Sequence, residues 1–450
     1  MPSHFAPVRT QRWSRRGAVG DRVGYELVEK LGAEMSTFYG GTPSDVPLGY
    51  LFLLQFVVHD LTWGSSGRLE LRPLYGDGPE SPGAAGYFRR DRRSLRLGSS
   101  SGNPRAEDAA RRRDLPEFDL PRADRTVSSG QRRAAQVPDV RSDENVGLGQ
   151  THVAIARFHN ELLTHTTGPK SSRFTAARTE AVLHYQWLVR TDILPRVVLP
   201  EIVDEVFRDP ADPVAAQISR EGAACLRFVH SMLTPGYAWN KIFPGSPELG
   251  VGMLVDQFSE ITPTLPTILI PDQHRLYRFP AAHSPTSTAK RIDTFIFNPY
   301  QQPRGTFGGD VTYDYVSLAE RDLRFSNVQL PTGQEMATAL HLPALGASRL
   351  LGGDGAKLDS LTEEERATLA SATPLLFYIL REAELNGGRL GAVGGRLVAQ
   401  EIRDAIARSE PSILRARPAL HDGVFGMTDL LLTAFQNKPE LLNPLGVSLS

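Results

Sequence analysis

A chain of 450 residues can form one large domain or two to three smaller ones, and 50 basic against 51 acidic side chains create no net field for nucleic acid or an anionic membrane. A single cysteine, Cys225, excludes an intrachain disulfide, so folding needs no oxidising compartment. Arg15-Arg16 is followed by residues too polar for a signal peptide, and the longest apolar stretch, around Leu48 to Val58, is too short to span a bilayer, which predicts a cytoplasmic protein with no membrane span.

Helical periodicity dominates the chain. It predicts an amphipathic helix from Asp21 to Met35 and a buried one from Gly49 to Trp63. Between Arg89 and Ala135, arginine clusters interleaved with acids, serines and few aromatics predict a solvated, mobile loop whose arginines are surface charge. Helices are then expected from Gly149 to Thr166, from Phe174 to Leu199 with Pro195 as a kink or stop, and from Val214 to Leu233, where Thr-Pro-Gly follows. Strand-like alternation is confined to Thr267–Ile270 and Thr294–Phe297, with loops near Pro235–Glu248 and Gln301–Gly309. Further helices are predicted at Tyr313–Phe325, Thr332–Leu340, Thr362–Leu385 and Leu397–Arg408, so the architecture is mainly α. The sequence holds no Walker loop, no Cys/His zinc spacing and no Gly-x-Ser-x-Gly elbow.

Three polar constellations interrupt this apolar background. Gln55 and His59 lie four residues apart, so a helix projects both from one face, with Asp60 beside them. Unpaired polar groups in a core are costly, which makes a hydrogen-bonded core histidine the plainest reading of that pair alone. The second is Asp139-Val-Arg-Ser-Asp-Glu-Asn145, where Arg141 by itself reads as a surface or capping residue. In the third, Leu226-Arg-Phe-Val-His-Ser-Met232, Arg227 and His230 share a helical face three residues apart.

Taken in order, these constellations resemble the animal-type haem peroxidases of the peroxidase–cyclooxygenase superfamily, in a bacterial-type form. The first is similar to that family's distal Gln-x-x-x-His-Asp helix and the third to its proximal Arg-x-x-His. Supporting fragments are Arg157-Phe-His-Asn160, His184-Tyr-Gln-Trp-Leu-Val-Arg-Thr-Asp-Ile-Leu-Pro195, Leu330-Pro-Thr-Gly-Gln334 and Leu390-Gly-Ala-Val-Gly-Gly-Arg396, and the likeness runs from about Pro43 to Val398. It implies a single large helical domain around a buried haem with little β structure, at residues 43–408 and including the 89–135 loop. Residues 1–42 would form an amino-terminal extension packed on that core, and residues 409–450 a carboxy-terminal segment.

The chemistry that the resemblance implies suits these residue types. His230 would be the axial ligand of haem b iron, leaving the opposite face for hydrogen peroxide. His59 would move a proton from the iron-binding peroxide oxygen to the leaving one, while Arg141 stabilises charge on the departing oxygen. Gln55 would hold a distal water or small anion, and Arg227 and Arg324 would contact the haem propionates. The implied activity is peroxidase oxidation of a small organic molecule or halide through a ferryl intermediate. A specialised biosynthetic oxygenase or coupling enzyme on one tailored substrate stays open, as does a catalytically silent haem-binding scaffold or sensor. No substrate and no oligomeric state are implied.

Departures from the family pattern sharpen these expectations. Val58 stands where some relatives carry an ester-forming aspartate, while Glu144 matches the second ester position, so at most one ester bond to haem is expected. Asn145 replaces a methionine that forms a sulfonium link in myeloperoxidase. Leu69-Glu-Leu-Arg-Pro-Leu-Tyr-Gly76 corresponds to the calcium loop, but Arg72 and Pro73 offer no side-chain oxygen, so calcium is expected to be absent and Arg72 to pair with Asp60 instead. Asp322, within Leu318-Ala-Glu-Arg-Asp-Leu-Arg324, falls near the position of the proximal histidine's partner; pairing with Arg321 or Arg324 on a helix surface is the alternative. The position of the cyclooxygenase radical tyrosine is occupied by Arg227, which disfavours fatty-acid oxygenation by that route. His283 is expected to be a loop histidine, because Pro280 would break a helix carrying it.

Overall fold

The computed structural model describes residues 23–37, 41–65, 67–123, 133–208, 219–245, 263–280, 286–298, 317–327, 330–419 and 425–446. Its larger helices are α1 (Tyr25–Met35), α2 (Gly49–Leu61), α3 (Val146–His165), α4 (Lys170–Leu188), α5 (Pro200–Arg208), α6 (Arg220–Cys225), α7 (Leu318–Asn327), α8 (Gly333–Ala339), α9 (Glu363–Ser371), α10 (Leu375–Leu385), α11 (Ala392–Arg408) and α12 (Met427–Ala434). Strand content is small. Strand β1 (Ser36–Thr37) pairs in parallel with β4 (Ile296–Phe297), and β2 (Pro43–Pro47) pairs antiparallel with β3 (Thr288–Lys290). Among the described residues no helix is long and apolar enough to cross a membrane.

Packing explains where the helices sit. Helix α2 is apolar on nearly every face and buries Leu53, Phe56 and Leu61 completely, so it lies in the middle of the core. It packs on α3 and on the 3-10 segment Leu226–Met232. The α2–α3 approach is close because Gly147 lacks a side chain; a methyl group there would meet the Phe52 ring at 2.4 Å. Helix α12 packs on α3, α7 on α1, and α11 on both α5 and α6.

Several expected elements are divided, each for a local reason. The long helix expected over Phe174–Leu199 becomes α4, a π-turn over Val189–Ile193 and a short helix from Leu194. Pro195 supplies no amide hydrogen and its ring crowds the carbonyl four residues back, which the wider π-turn accommodates. Pro374 likewise divides the helix expected over Thr362–Leu385 into α9 and α10. A Thr362–Glu365 capping box starts α9, and a Thr332–Glu335 box starts α8. Thr267–Leu269 forms a 3-10 turn in place of the expected strand, since Pro263, Pro266 and Pro271 deny a ladder its donors. Helices α5 and α12 are not among the expected elements.

The segment expected to be a solvated loop is irregular and exposes Arg89, Arg90, Arg92, Arg105, Arg112 and Arg113, but a few apolar side chains anchor it to the core. Leu95, Phe118 and Leu120 are buried. Arg122 is buried as well, in a correction to its expected place at the surface: it donates to Asp119 at 2.7 and 2.9 Å and to Asp143 at 2.5 Å. Arg157 of α3 stacks over Phe118 from this segment and Phe435 just beyond α12. His283 and residues 301–309 lie outside the described residues.

Candidate active site

Helix α2 presents Gln55 and His59 one turn apart, as the four-residue spacing requires. Both meet the segment that precedes α3. The His59 Nε2 atom lies 3.8 Å from Glu144 Oε2, and the Gln55 Nε2 group donates to the same oxygen at 3.4 Å. Asn145 ties this pair to the scaffold. Its Oδ1 caps α3 by accepting from the Leu148 amide at 2.8 Å, and its Nδ2 donates to Gln55 Oε1 at 2.9 Å. The amide orientation of Gln55 is therefore set by a helix cap, and Glu144 belongs to the same cluster.

Arg141 is placed differently from the expectation of a guanidinium turned toward reacting oxygens. Its Nε and Nη2 groups bind Asp139 at 2.9 and 2.6 Å, Nη1 donates to Thr62 Oγ1 at 2.9 Å, and Nη2 donates to the His59 carbonyl at 3.0 Å. Carbonyls in the last turn of a helix lack intrahelical donors, and this guanidinium supplies one. Asp139 was missed as a participant, although its place two residues before Arg141 offered a signal.

Asp60 ends the same helix in full burial. Its Oδ2 accepts from the Leu71 amide at 2.9 Å and its Oδ1 from the Arg72 amide at 2.8 Å. Leu71 has φ 57° and ψ 37°, a left-handed turn that directs successive N–H groups toward one anion. The expected pairing of the Arg72 side chain with Asp60 is not made; only the Arg72 backbone amide reaches that carboxylate. The Arg72 guanidinium stays near the surface and binds Asp77 at 2.5 Å. Burial pushes the Asp60 carboxyl up to about 7; the Arg72 and Leu71 amides oppose the rise and Glu70 adds to it.

On the other side of α2 the expected continuous helix changes pitch. Helix α6 ends at Cys225, and Leu226–Met232 is a 3-10 helix. At three residues per turn, side chains three apart eclipse, so Arg227 and His230 reach the same partner. That partner is Asp322 of α7, which is fully buried. Its Oδ2 lies 2.5 Å from His230 Nδ1, and its Oδ1 accepts from Arg227 Nη1 at 2.6 Å. Burial works to raise the Asp322 carboxyl, but His230, Arg227 and Arg321 together hold it below its ordinary range. The alternative of an aspartate on a helix surface is overturned by this burial.

The two arginines expected at haem propionates have protein partners. Arg227 is engaged by Asp322 and stacks on Phe325 with 4.2 Å to the ring centroid. Arg324 binds Glu320 and the Tyr25 hydroxyl and lies over the Tyr25 ring at 4.4 Å, so it ties α7 to α1. The donor set suits an axial ligand better than it suits the expected propionate clamp. With Nδ1 committed to a carboxylate, Nε2 is the His230 nitrogen that can bind iron, and a carboxylate on Nδ1 is the usual outer partner of a metal-binding imidazole.

No family model and no curated protein matches the sequence. Solved structures do. Peroxidase A from Dictyostelium discoideum superposes with a TM-score of 0.50 at 14% identity, covering 98% of this chain and 94% of that one. A fatty acid alpha-dioxygenase from Oryza sativa gives 0.54 at 10% identity, covering 94% and 77%. The Arabidopsis thaliana fatty acid alpha-dioxygenase gives 0.51 at 11% identity, covering 95% and 75%. These neighbours are members of the peroxidase–cyclooxygenase superfamily, and at such identities the likeness is one of fold: the chain has their mainly α architecture.

Proposed function

We propose that this chain is a haem-dependent, peroxidase-type oxidoreductase that uses hydrogen peroxide to oxidise a small organic molecule or a halide. The reading rests above all on the 2.5 Å contact between His230 Nδ1 and the buried Asp322 carboxylate. A carboxylate partner gives an axial imidazole imidazolate character and strengthens its donation to iron. Bound haem would supply the redox chemistry. His230 would hold it, and Gln55, His59 and Glu144 would face its open side from α2 and the start of α3.

In this reading His59 Nε2 receives a proton from peroxide and returns it to the departing oxygen. Glu144 Oε2 and the Gln55 amide order the polar groups around that nitrogen. Arg141 is a positioning residue: through the His59 carbonyl, Thr62 and Asp139 it fixes the end of the helix that aims the imidazole. Glu144 is the one position suited to an ester with haem. Asp60 is bound by backbone amides, so we propose that this site works without calcium.

The placement of Arg141 favours a second reading, a haem-binding scaffold or sensor, because its guanidinium is engaged by Asp139, Thr62 and the His59 carbonyl. One experiment separates the two. Haem-loaded protein is mixed with hydrogen peroxide in a stopped-flow spectrometer, alongside His59→Ala. A peroxidase shows a rapid change in the Soret band that slows by about a hundredfold or more in the variant. An unresponsive wild-type Soret band rejects peroxidase function in favour of the scaffold.

A further inference from the structure

Two adjoining cavities, of about 640 and 510 Å³, lie along the π-turn, and Trp187 and Thr191 line both. Neither includes Gln55, His59, Arg141, Glu144, His230 or Asp322. In the smaller one, acid and donors are matched. Asp192 accepts from the Tyr50 hydroxyl at 2.7 Å, from Arg196 at 2.6 Å and from the Met427 amide at 2.8 Å.

The larger cavity is unbalanced. Arg190, Arg415 and Arg417 line it together with one carboxylate, Asp204. Arg415 already has partners, Glu410 at 2.9 Å and the carbonyls of Ala407 and Ser409. Arg190 stacks on Phe207 at 4.9 Å, and among the described residues neither it nor Arg417 makes a side-chain hydrogen bond or a close ion pair with a carboxylate. Burial lowers the Arg190 pKa; Asp204 opposes that effect, and the Arg417 charge adds to it. Two guanidiniums facing one concavity repel each other, and an anion between them turns that repulsion into two charge-assisted contacts. The remaining wall is apolar, formed by Trp187, Pro195, Val203 and Ile413. A bare inorganic ion would leave that surface wet.

We propose that this cavity binds a small organic anion, its carboxylate or phosphate seated between Arg190 and Arg417 and its apolar body against Trp187 and Val203. The site adjoins the distal helix: Asp192, in the same π-turn as Arg190 and Thr191, bonds Tyr50 in the first turn of α2.

The test is calorimetric titration of the full-length, haem-loaded protein with phenyl phosphate, benzoate and inorganic phosphate. At least one aryl anion is expected to saturate with a Kd below about 1 mM. The tighter of the two identifies the head group, and inorganic phosphate binds about tenfold or more weakly. Arg190→Gln and Arg417→Gln each weaken aryl-anion binding by about tenfold, the loss of one charge-assisted contact. Arg417 is exposed, so its variant keeps the test decisive if Arg190→Gln fails to fold. Absence of saturation below about 10 mM overturns the proposal. So does inorganic phosphate binding as tightly as the aryl anions, or unchanged affinity in Arg417→Gln, which would place the ligand elsewhere, the haem pocket included.

Discussion

Asp60 and Asp322 are both fully buried, one in the last turn of α2 beside His59 and the other behind His230, and they are held in opposite ways. Asp60 is met by neutral N–H groups from the Leu71 turn, and its carboxyl rises to about 7. Asp322 is met by His230 and Arg227, with Arg321 3.8 Å away, and its carboxyl falls below the ordinary range. At Asp60 the two amides offset only part of the cost of burial, whereas at Asp322 the neighbouring His230 and arginines more than offset it. The Asp60 end of α2 is therefore fixed by directional hydrogen bonds, next to His59. The Asp322 side is fixed by charge, which is what the proposed axial role of His230 would draw on.

The largest break in this contrast is expected from Asp322→Asn. It takes away the charge paired with Arg227 and leaves one amide oxygen where two carboxylate oxygens served Arg227 and His230. Because Arg227 keeps part of its contact with water, the cost is expected at the lower end of the about 3–5 kcal/mol for breaking a buried charged set. Urea unfolding should report a lower midpoint with little change in slope. A wild-type midpoint would mean that Asp322 adds nothing to the proximal side. Arg141→Ala comes next: it leaves Asp139 with only the residue-141 backbone amide and the His59 carbonyl with only the longer contact from Thr62, at about 1–3 kcal/mol in all for the buried polar groups left under-satisfied. Arg141→Lys should recover only part of the loss, since an ammonium lacks the planar fork that spans Asp139, Thr62 and the carbonyl. Full recovery by lysine would show that charge, not geometry, fixes the end of α2.

What the sequence disclosed tracks how local each cause is. The mainly α class and the position of α2 were legible because apolar spacing reports burial directly, and Gln55 with His59 stood out against it. The pitch change at Leu226 was not, since the apolar residues there fit an α-helix as well as a 3-10 turn. The Asp60 turn depends on a left-handed leucine, a residue type that gives no warning of positive φ. Asp322 sits in a charged stretch that by its own pattern fits a surface helix; the resemblance alone pointed it toward His230, and its partners His230 and Arg227 lie 92 and 95 residues away. The engagement of Arg141 by the end of α2 is long-range too, whereas its contact with Asp139 was within reach of local reading.

Two smaller effects sharpen the distal half. The folded Asp60 carboxyl keeps its proton to about pH 7, whereas an unfolded one releases it near 3.8, so the native state binds more protons across that interval. Through this group, stability is greatest below pH 3.8 and declines as pH rises to about 7. Asp60→Asn should flatten that slope in thermal melts taken across the interval, and an unchanged slope would assign it to other groups. Asn145→Ala should have the smallest effect on stability, about 1 kcal/mol for a lost helix cap. Its sharper consequence concerns Gln55: once Nδ2 of Asn145 is gone, only the 3.4 Å contact to Glu144 is left to orient the Gln55 amide. Asn145→Asp keeps the cap on Leu148 but presents only acceptors to Gln55, so the amide should turn its Nε2 toward residue 145 and away from Glu144. If capping alone matters, the aspartate variant matches wild type both in stability and in the rate of the peroxide-dependent Soret change. If the orientation of Gln55 matters, it keeps the stability and slows the Soret change.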